Sequence, residues 1–199
     1  MSKTIIFDLG NVIINVDKTD QYKRFAEKSN KNIFYVKNYI EKCKARKYFE
    51  EGKLTPQQFY LELKNELNLS MRFKEFKNVW CSIFTLNKDV KKLVRKLGKD
   101  CKLILLSNTD ILHFEYIKNK YKIIGEFDDY VLSYEVGFRK PNLLIFLAAL
   151  KKAKSLPFNC IYIDDIRDFV RIAGFMCIKS FQYRGYKNLV SDLNKANVF

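Results

Sequence analysis

The chain has 199 residues, of which 48% are hydrophobic and 30% are charged, and this composition excludes a disordered or fibrous protein. The length predicts one domain, or one domain with an insertion. The formal net charge of +15 comes from 29 Lys and 8 Arg against 22 acidic residues, and the scattered, Lys-rich pattern argues against a dedicated nucleic-acid partner.

The first predicted element is a buried strand over residues 4–7, where β-branched and aromatic residues follow one another. Residues 18–86 show only helical patterns. Thr55 and Pro56 begin one such helix, in which Phe59, Leu63 and Leu67 recur every four residues. Beyond residue 86 helices alternate with strands. The predicted helices are 90–97, one from about residue 110 and one after residue 141; the predicted strands are 102–106, 130–132, 160–163 and 177–179.

This alternation predicts an α/β domain with a parallel sheet that helices cover on both faces. We therefore expect residues 1–17 and 87–199 to form the α/β core, and residues 18–86 to form a helical insertion. Ligands of open α/β sheets bind beyond the carboxyl ends of the strands. Functional side chains are therefore expected at those strand ends.

The five cysteines predict reduced thiols. They are Cys43, Cys81, Cys101, Cys160 and Cys177, an odd number without a C-x-x-C pair, and three of them lie in or beside apolar runs. We expect mostly buried thiols in a cytoplasmic protein. The N-terminus lacks a signal-peptide pattern and no apolar run approaches 18 residues, so no membrane partner is expected. The sequence does not indicate an oligomeric state.

Carboxylates follow two of the predicted strands. Asp8 comes directly after the first strand in IIFDLGNV, and Asp164 and Asp165 end the strand CIYI. Each could simply cap or solvate a turn. However, two adjacent carboxylates after a buried strand are costly unless a positive group lies beside them, and Mg²⁺ suits such oxygen ligands.

Three further polar residues occupy similar positions. Ser107 and Asn108 follow the strand KLILL, where a hydroxyl and an amide beside a helix N-terminus can form an anion pocket. Lys140 lies in the loop GFRKPN ahead of a helix. Taken singly, a helix cap and a surface lysine explain these residues as well as a binding site does.

Together and in this order, the four motifs resemble the haloacid dehalogenase superfamily, and the resemblance covers the whole chain. It implies a Rossmann-like α/β core, with residues 18–86 as the helical cap between the first and second motifs. The motifs FDLGNV, SNT, RKP and DD, and the cap segment FEEGKLTPQQF, are most similar to a sugar-phosphatase branch that includes α-D-glucose-1-phosphate phosphatase.

The resemblance implies a Mg²⁺-dependent phosphatase acting on a small-molecule phosphate ester, with a sugar phosphate as the expected substrate class. Asp8 would be the nucleophile and would form an aspartyl phosphate. Lys140 would neutralise the nucleophile and the phosphate, while Ser107 and the backbone of Asn108 would hold phosphoryl oxygens. Mg²⁺ would be bound by Asp8, the Gly10 carbonyl and Asp165, with Asp164 either ligating it or holding a metal-bound water.

Four residues are candidates for substrate selection. His113 stands where the related phosphatases also carry a histidine, although a helix-surface histidine is an equally good explanation. In the cap, Arg46, Tyr48 and Phe49 are expected to face the phosphate site, although helical packing accounts for the two aromatic rings as well. Residues 18–50 carry 10 basic and 4 acidic side chains, a charge that could steer anionic substrates to the cleft.

The sequence departs from the superfamily pattern at three positions. Gly10 stands where the usual first motif has a second Asp that transfers protons, although the glucose-1-phosphate phosphatase branch also has Gly there. Asp17, Asn11 and a cap residue are the candidates for taking over that function, although a leaving group of low basicity has less need of it. Phe169 occupies the position of an Asn in that branch, and Cys177 that of a common Gly.

Two alternatives stay open at this stage. A catalytically weak or inactive phosphate-binding relative would explain the loss of the proton-transfer group. A 2-haloacid dehalogenase also uses an Asp nucleophile, but that reaction needs no metal and leaves the Asp164–Asp165 pair unexplained.

Overall fold

A computed structural model describes residues 3–198 of the chain. The strands are β1 (Thr4–Phe7), β2 (Ile14–Val16), β3 (Phe84–Leu86), β4 (Lys102–Ser107), β5 (Asp129–Leu132), β6 (Cys160–Asp164) and β7 (Lys179–Gln182). The α-helices are α1 (Thr19–Ser29), α2 (Ile33–Lys42), α3 (Lys44–Glu50), α4 (Pro56–Leu67), α5 (Phe73–Cys81), α6 (Lys88–Leu97), α7 (Ile111–Lys120), α8 (Ser133–Val136), α9 (Leu143–Ala153), α10 (Arg167–Phe175) and α11 (Tyr186–Lys195). Two 3₁₀ turns lie at Lys122–Glu126 and Pro157–Asn159.

The main sheet has five parallel strands in the order β5-β4-β1-β6-β7, so the first strand of the chain lies at its centre. Phe7 at the end of β1 is opposite Leu105 in β4 and Ile163 in β6. The carboxyl ends of these three strands therefore meet at one edge. The predicted α/β fold with a parallel sheet is confirmed.

Alternate residues of β1 enter two hydrophobic cores because successive side chains point to opposite faces of a strand. Ile5 and Phe7 belong to one core, which includes Val90 of α6. Ile6 belongs to the other, which includes Phe146 of α9. Both faces of the sheet are therefore covered, as expected of a parallel sheet.

The helices α1–α5 surround a third hydrophobic core that draws its buried members only from residues 22–81. Aromatic rings dominate it, and Phe49 stacks on Phe59 with ring centroids 4.4 Å apart. Helix α4 begins as predicted, since Thr55 and Gln58 form a reciprocal capping box and Pro56 follows the cap. We call residues 18–83 the helical insertion.

A two-stranded antiparallel ribbon, β2 with β3, flanks the helical insertion on both sides. Ile14 pairs with Leu86, and Val16 pairs with Phe84. Neither strand was predicted, and the assignment of residues 84–86 to a helical pattern is wrong. Three residues are too few to show the alternation of polar and apolar side chains that is typical of a strand. These two strands can therefore be recognised only from their pairing in the structure.

The last strand begins two residues later than predicted. β7 starts at Lys179, whereas Cys177 has a left-handed backbone with φ of 60°. This conformation explains why glycine suits the position, because a side chain there crowds the backbone. Cys177 and Ile178, the apolar residues that suggested a strand over 177–179, instead connect α10 with β7, and Ile178 is buried.

Replacing Cys177 with Gly is therefore expected to stabilise the protein by up to about 1 kcal/mol, because the left-handed conformation costs a non-glycine residue about 1–2 kcal/mol and glycine's extra chain entropy offsets part of that. Urea unfolding of the reduced protein would measure the change. Cys177→Ala, which removes the thiol and keeps the Cβ atom, is the control and should give no such gain. Equal stabilisation by both variants would contradict the backbone explanation.

All five cysteines are free thiols, as predicted. The expectation that most of them are buried holds fully for only two, because Cys81 and Cys160 are buried, Cys43 and Cys101 are partly buried and Cys177 is exposed. Within residues 3–198, every helix is too short or too polar to cross a membrane. The cytoplasmic location stays a prediction.

Candidate active site

Asp8 lies at the central point of the sheet edge, directly after β1. Its backbone N–H donates to the Ile163 carbonyl at 2.8 Å and continues the pairing of β1 with β6. The residue is buried, with 7% of its surface exposed. Its carboxylate Oδ1 accepts a hydrogen bond from Lys140 Nζ at 2.7 Å. A carboxylate on the first strand and a lysine 132 residues later thus form a buried ion pair.

Lys140 is held from three sides. Its Nζ donates to Asp8 Oδ1 and Asp164 Oδ2, both at 2.7 Å, and to the Leu106 carbonyl at 3.2 Å. Asn108 fixes its backbone, since Asn108 Oδ1 accepts from Lys140 N at 2.7 Å and Asn108 Nδ2 donates to Lys140 O at 2.9 Å. Lys140 is therefore part of the buried site and not a surface lysine.

Protein donors occupy both oxygen atoms of Asp164. Oδ1 accepts from Ile166 N at 2.7 Å, while Oδ2 accepts from Lys140 and from the Tyr162 hydroxyl. Asp164 is fully buried and anchors Lys140 beside Asp8. Sequence reasoning missed Tyr162, although its place two residues before Asp164 on the same strand predicts that both side chains share a face.

Burial and charge shift the pKa values of these groups. Burial raises the pKa of Asp8 to about 7, against the opposing effect of the Lys140 ammonium. Burial alone would lower the pKa of Lys140, but the Asp8 and Asp164 carboxylates raise it above its usual value, so the ammonium persists. Burial also raises the pKa of Asp165, while a hydrogen bond from Asn11 opposes this effect.

A divalent cation fits the charge and the donor atoms of this site. Asp8, Asp164 and Asp165 each offer an oxygen, and the three atoms lie within 4.8 Å of one another. Three carboxylates beside the single ammonium of Lys140 leave two negative charges uncompensated at the sheet edge. Such hard oxygen donors are the ligands that Mg²⁺ prefers.

Metal-free protein is expected to lose stability as the pH rises from about 4 to about 7. In this range the folded Asp8, with a pKa of about 7, holds its proton more tightly than the unfolded residue, with its model value of 3.8. This difference corresponds to at most about 4 kcal/mol. Urea unfolding in EDTA should therefore show Asp8→Asn gaining stability over the wild type as the pH rises. A difference that is independent of pH would contradict the burial of an ionisable Asp8.

The structure brings residues from all four motifs into the lining of one cavity of about 650 Å³, whereas Asp164 lies buried behind that lining. Ser107, the last residue of β4, is buried beside it, and Asn108 follows. The lining includes the following predicted residues: Asp8, Gly10, Ser107, Asn108, Lys140 and Asp165, together with Arg46 and His113. The helical insertion and the α/β core both contribute residues to the wall of this cavity, which we call the cleft.

His113 lines the cleft, but both of its ring nitrogens already face protein oxygens. Nδ1 lies 2.9 Å from Asp110 Oδ2, and Nε2 lies 2.9 Å from the Trp80 carbonyl. The ring stacks on Trp80 with centroids 4.9 Å apart. His113 thus connects α7 with the helical insertion, and only its ring carbon atoms are available for contact with a ligand.

The prediction that Tyr48 and Phe49 face the phosphate site is wrong. Phe49 is 1% exposed and lies in the hydrophobic core of the helical insertion, where it packs on Phe59. Tyr48 is 40% exposed and lies outside the cleft, with Lys53 Nζ over its ring. Only Arg46 of the three cap candidates reaches the cleft. Packing decides this, because α3 turns one face to the core of the helical insertion and another to the cleft.

Neither Asn11 nor Asp17 is suited to replace the proton-transfer group absent at Gly10. Asn11 carries no acidic proton, and its Oδ1 and Nδ2 are engaged with Val16 N and Asp165 Oδ2. Hydrogen bonds from Thr19 hold the pKa of the exposed Asp17 below its usual value, so Asp17 is a poor proton donor near neutral pH.

Phe169, at the position of the expected Asn, places its ring centroid 5.3 Å from Lys140 Nζ. A cation–π contact thus replaces an amide there.

Comparison with known proteins agrees with this geometry. The sequence matches the haloacid dehalogenase-like hydrolase family over residues 2–168. D-ribitol-5-phosphate phosphatase of Bacteroides thetaiotaomicron is 26% identical over 190 residues, which cover 92% of each protein.

Two solved structures share the fold. A haloacid dehalogenase family enzyme of Bacteroides thetaiotaomicron in complex with magnesium and inorganic phosphate has a TM-score of 0.85 at 23% identity, over 95% of this chain and 99% of that one. An L-2-haloacid dehalogenase has a TM-score of 0.65 at 15% identity, over 90% and 83% of the two chains. At these identities the likeness concerns the fold alone.

The fold and the cleft are those of a hydrolase with an aspartate at the end of its central strand. The chain belongs to the haloacid dehalogenase-like hydrolase family. The predicted superfamily and the predicted class of phosphoric monoester hydrolase are confirmed. The closer resemblance to the glucose-1-phosphate phosphatase branch stays a prediction.

Proposed function

We propose that this protein is a Mg²⁺-dependent phosphatase of a small sugar phosphate or sugar-alcohol phosphate, acting through an aspartyl phosphate on Asp8. The observation that carries the proposal is the buried Asp8–Lys140–Asp164 array, with Asp165 beside it, at the floor of a cleft large enough for a small metabolite. The phosphatase relative, whose printed substrate is a sugar-alcohol phosphate, supports the substrate class.

Asp8, Asp165 and the backbone carbonyl of Gly10 would hold the magnesium ion. Asp164 is better suited to hold Lys140 or a metal-bound water, because protein donors occupy both of its oxygen atoms. Bound there, Mg²⁺ would supply positive charge that allows a phosphate dianion to approach a carboxylate.

The residues of the chain perform the chemistry in two displacements. An Asp8 carboxylate oxygen attacks phosphorus, and the bond from phosphorus to the leaving oxygen breaks. Ser107 and the backbone of Asn108 hold the phosphoryl oxygens, and the Lys140 ammonium balances their charge. Water then attacks the same phosphorus, which releases inorganic phosphate and regenerates the Asp8 carboxylate.

The helical insertion serves as the cap of this enzyme. It places Arg46, Lys18 and Tyr22 in the cleft wall above the sheet edge, where the leaving group of a substrate would lie. The cap thereby excludes water and selects the leaving group. We propose the boundaries 18–86 for the cap, which comprises the helical insertion together with strand β3, and 1–17 with 87–199 for the core.

Phosphate release from a panel of compounds tests the proposed function. The panel contains sugar phosphates, sugar-alcohol phosphates, nucleotides and p-nitrophenyl phosphate, each assayed with Mg²⁺ and with EDTA. Metal-dependent release is the expected result. Release of halide from 2-haloacids would favour the dehalogenase alternative, and binding of phosphate without any turnover would favour an inactive relative.

Replacing Asp165 with Ala is expected to leave little turnover at any Mg²⁺ concentration normally used. The variant should also lose the rise in thermal stability that Mg²⁺ gives the wild type, since ligand binding stabilises the folded state. Asp168→Ala, which removes a nearby exposed carboxylate, is the matched control and should retain both properties. Undiminished turnover in Asp165→Ala would remove Asp165 from the metal site.

A further inference from the structure

A buried carboxylate holds two arginines at the wall of the cleft. The Glu50 side chain, at the end of α3, is 8% exposed. Its Oε1 accepts a hydrogen bond from Arg46 Nε at 3.0 Å. Its Oε2 and Arg139 Nε lie 2.7 Å apart and form an ion pair without the geometry of a hydrogen bond. Arg46 belongs to the cap, whereas Arg139 directly precedes Lys140 in the core. The Glu50 carboxylate thus contacts two guanidinium groups, one from each side of the cleft.

Most of the Arg139 guanidinium is left free for a ligand. Within residues 3–198, its protein contact is through Nε to Glu50, and its two Nη groups have no hydrogen-bond partner. Arg46 also retains Nη2, because Nε and Nη1 are taken by Glu50 and Glu41. Free Nη groups of this kind match the two oxygens of a carboxylate or phosphate.

The same wall carries a positive charge in excess. Outside the cluster of Asp8, Lys140 and Asp165, four cationic side chains line the cleft. Three acidic side chains offset all but one of these charges, namely Asp17 and Glu50 in the lining and Glu41 behind it. The cationic residues are Lys18, Lys37, Arg46 and Arg139. Burial and the charge of Arg46 lower the pKa of Lys18, as expected where cations crowd together. One further anionic group on a ligand would relieve this excess.

The choice of residue supports a specific role. The chain uses lysine for 29 of its 37 cationic residues, and arginine for only eight. Two of these eight arginines, Arg46 and Arg139, contact one buried carboxylate, Glu50, in the cleft wall. A solvated basic surface does not require arginine or a buried carboxylate beside it. Binding both oxygens of an anion requires a planar guanidinium that is held in a fixed position.

We propose that Arg139 and Arg46 bind a second anionic group, a carboxylate or another phosphate, on the leaving part of the substrate. This inference rests on the proposed phosphatase function and narrows its substrate class. Arg139 and Lys140 are adjacent, with Cα atoms about 3.8 Å apart, so the two ends of one small molecule can reach Asp8 and the arginine pair within the same cleft.

Three open-chain substrates with the same carbon skeleton test the proposal on the wild-type enzyme with Mg²⁺. Glucitol 6-phosphate, 6-phosphogluconate and glucitol 1,6-bisphosphate differ only in the group at C1: a hydroxyl, a carboxylate or a phosphate. We expect kcat/KM to be about tenfold or more higher for the two compounds with an anionic C1 group, as charged hydrogen bonds imply. A preference for the neutral compound, or equal values for all three, would overturn the inference.

Variants assign the effect to the arginine. Arg139→Gln should lose about 10- to 100-fold in kcat/KM on 6-phosphogluconate, and much less on glucitol 6-phosphate. Arg171→Gln makes the same change on the exposed face of α10 and should alter neither value. Equal losses on both substrates would mean that Arg139 serves the reacting phosphate, and would refute a role at the leaving group.

Arg139→Lys is a second test that can be used if Arg139→Gln is unstable, because it keeps a positive charge near Glu50. It should still reduce the preference for 6-phosphogluconate, since an ammonium lacks the planar fork, and an unchanged preference would count against the proposal. The proposed function and this further inference can be refuted independently of each other. Absence of phosphate release from every compound would refute the phosphatase function, whereas release without a preference for anionic leaving groups would refute only this inference.

Discussion

Replacing Asp8 with Asn is expected to reduce kcat for phosphate release by about 10⁴-fold or more, as loss of a covalent nucleophile does in other hydrolases. The Asn amide has the shape of the carboxylate but is neutral, so its oxygen is too weak a nucleophile to attack phosphorus. Among the three clustered carboxylates, only Asp8 follows the central strand, and its Oδ1 accepts a hydrogen bond from Lys140 Nζ. Retained turnover would refute its assignment as the nucleophile.

The fold should survive this change. Lys140 keeps its bonds to Asp164 and to the Leu106 carbonyl, so the variant does not leave an isolated buried ammonium. Thermal unfolding in EDTA should show a variant at least as stable as the wild type near pH 7, because a costly buried carboxylate is gone. Asp100→Asn makes the same chemical change at an exposed residue and should keep full activity.

Replacing Gly10 with Asp is expected to accelerate hydrolysis of sugar phosphates by about 10²- to 10⁴-fold, the usual contribution of a general acid–base group. Gly10 supplies a backbone carbonyl to the proposed metal site but has no group that can protonate the leaving oxygen. Leaving groups of high basicity need that proton most. The gain should therefore be large for a sugar phosphate with an alkyl leaving group and small for p-nitrophenyl phosphate.

The structure has room for this substitution. A Cβ atom on Gly10 would lie 3.7 Å from Val16 Cγ2 and 3.9 Å from Asp8 Oδ2, both ordinary van der Waals distances. The backbone of Gly10 is not in the left-handed region, so a side chain brings no strain there. The new carboxyl would stand beside the buried Asp8 carboxylate, which favours its protonated form and thus its action as an acid.

Gly10→Asn is the matched control, because it has the size of Asp but cannot transfer a proton. Steady-state kcat/KM for both variants on a sugar phosphate and on p-nitrophenyl phosphate separates chemistry from packing. Equal effects of Asp and Asn would show that proton transfer at this position is not limiting. The wild type would then rely on substrates whose leaving groups depart without assistance.

The catalytic end of the site could be predicted from sequence because its residues are tied to strand ends. Asp8, Ser107 and Asp164 each follow or end a short apolar run, and parallel strands bring their carboxyl ends to one edge. Lys140 was weaker as a sequence signal, since it is one lysine among 29 in a loop. The order of the four motifs, rather than any one of them, identified it.

The substrate end of the cleft could not be predicted in the same way. Arg46 and Phe49 are one helical turn apart on α3, yet Arg46 reaches the cleft and Phe49 enters the core of the helical insertion. Amphipathic spacing shows which residues avoid water, but it does not distinguish a cleft from a core. Residues in a cleft and residues in a core are both shielded from water. The packing of the neighbouring helices determines which of the two a given residue enters.

The sequence by itself determined the α/β class from its alternating local periodicity. It also predicted a helical insertion after the first strand, and the resemblance of its strand-end motifs to a known superfamily pointed to the proposed catalytic residues. Only the tertiary structure decided how distant residues meet. Glu50 and Arg139 are 89 positions apart, and no local pattern links them, because their contact depends on how the helical insertion lies on the core. The proposed specificity therefore depends on that packing, whereas the position of the proposed nucleophile depends on the single strand that precedes it.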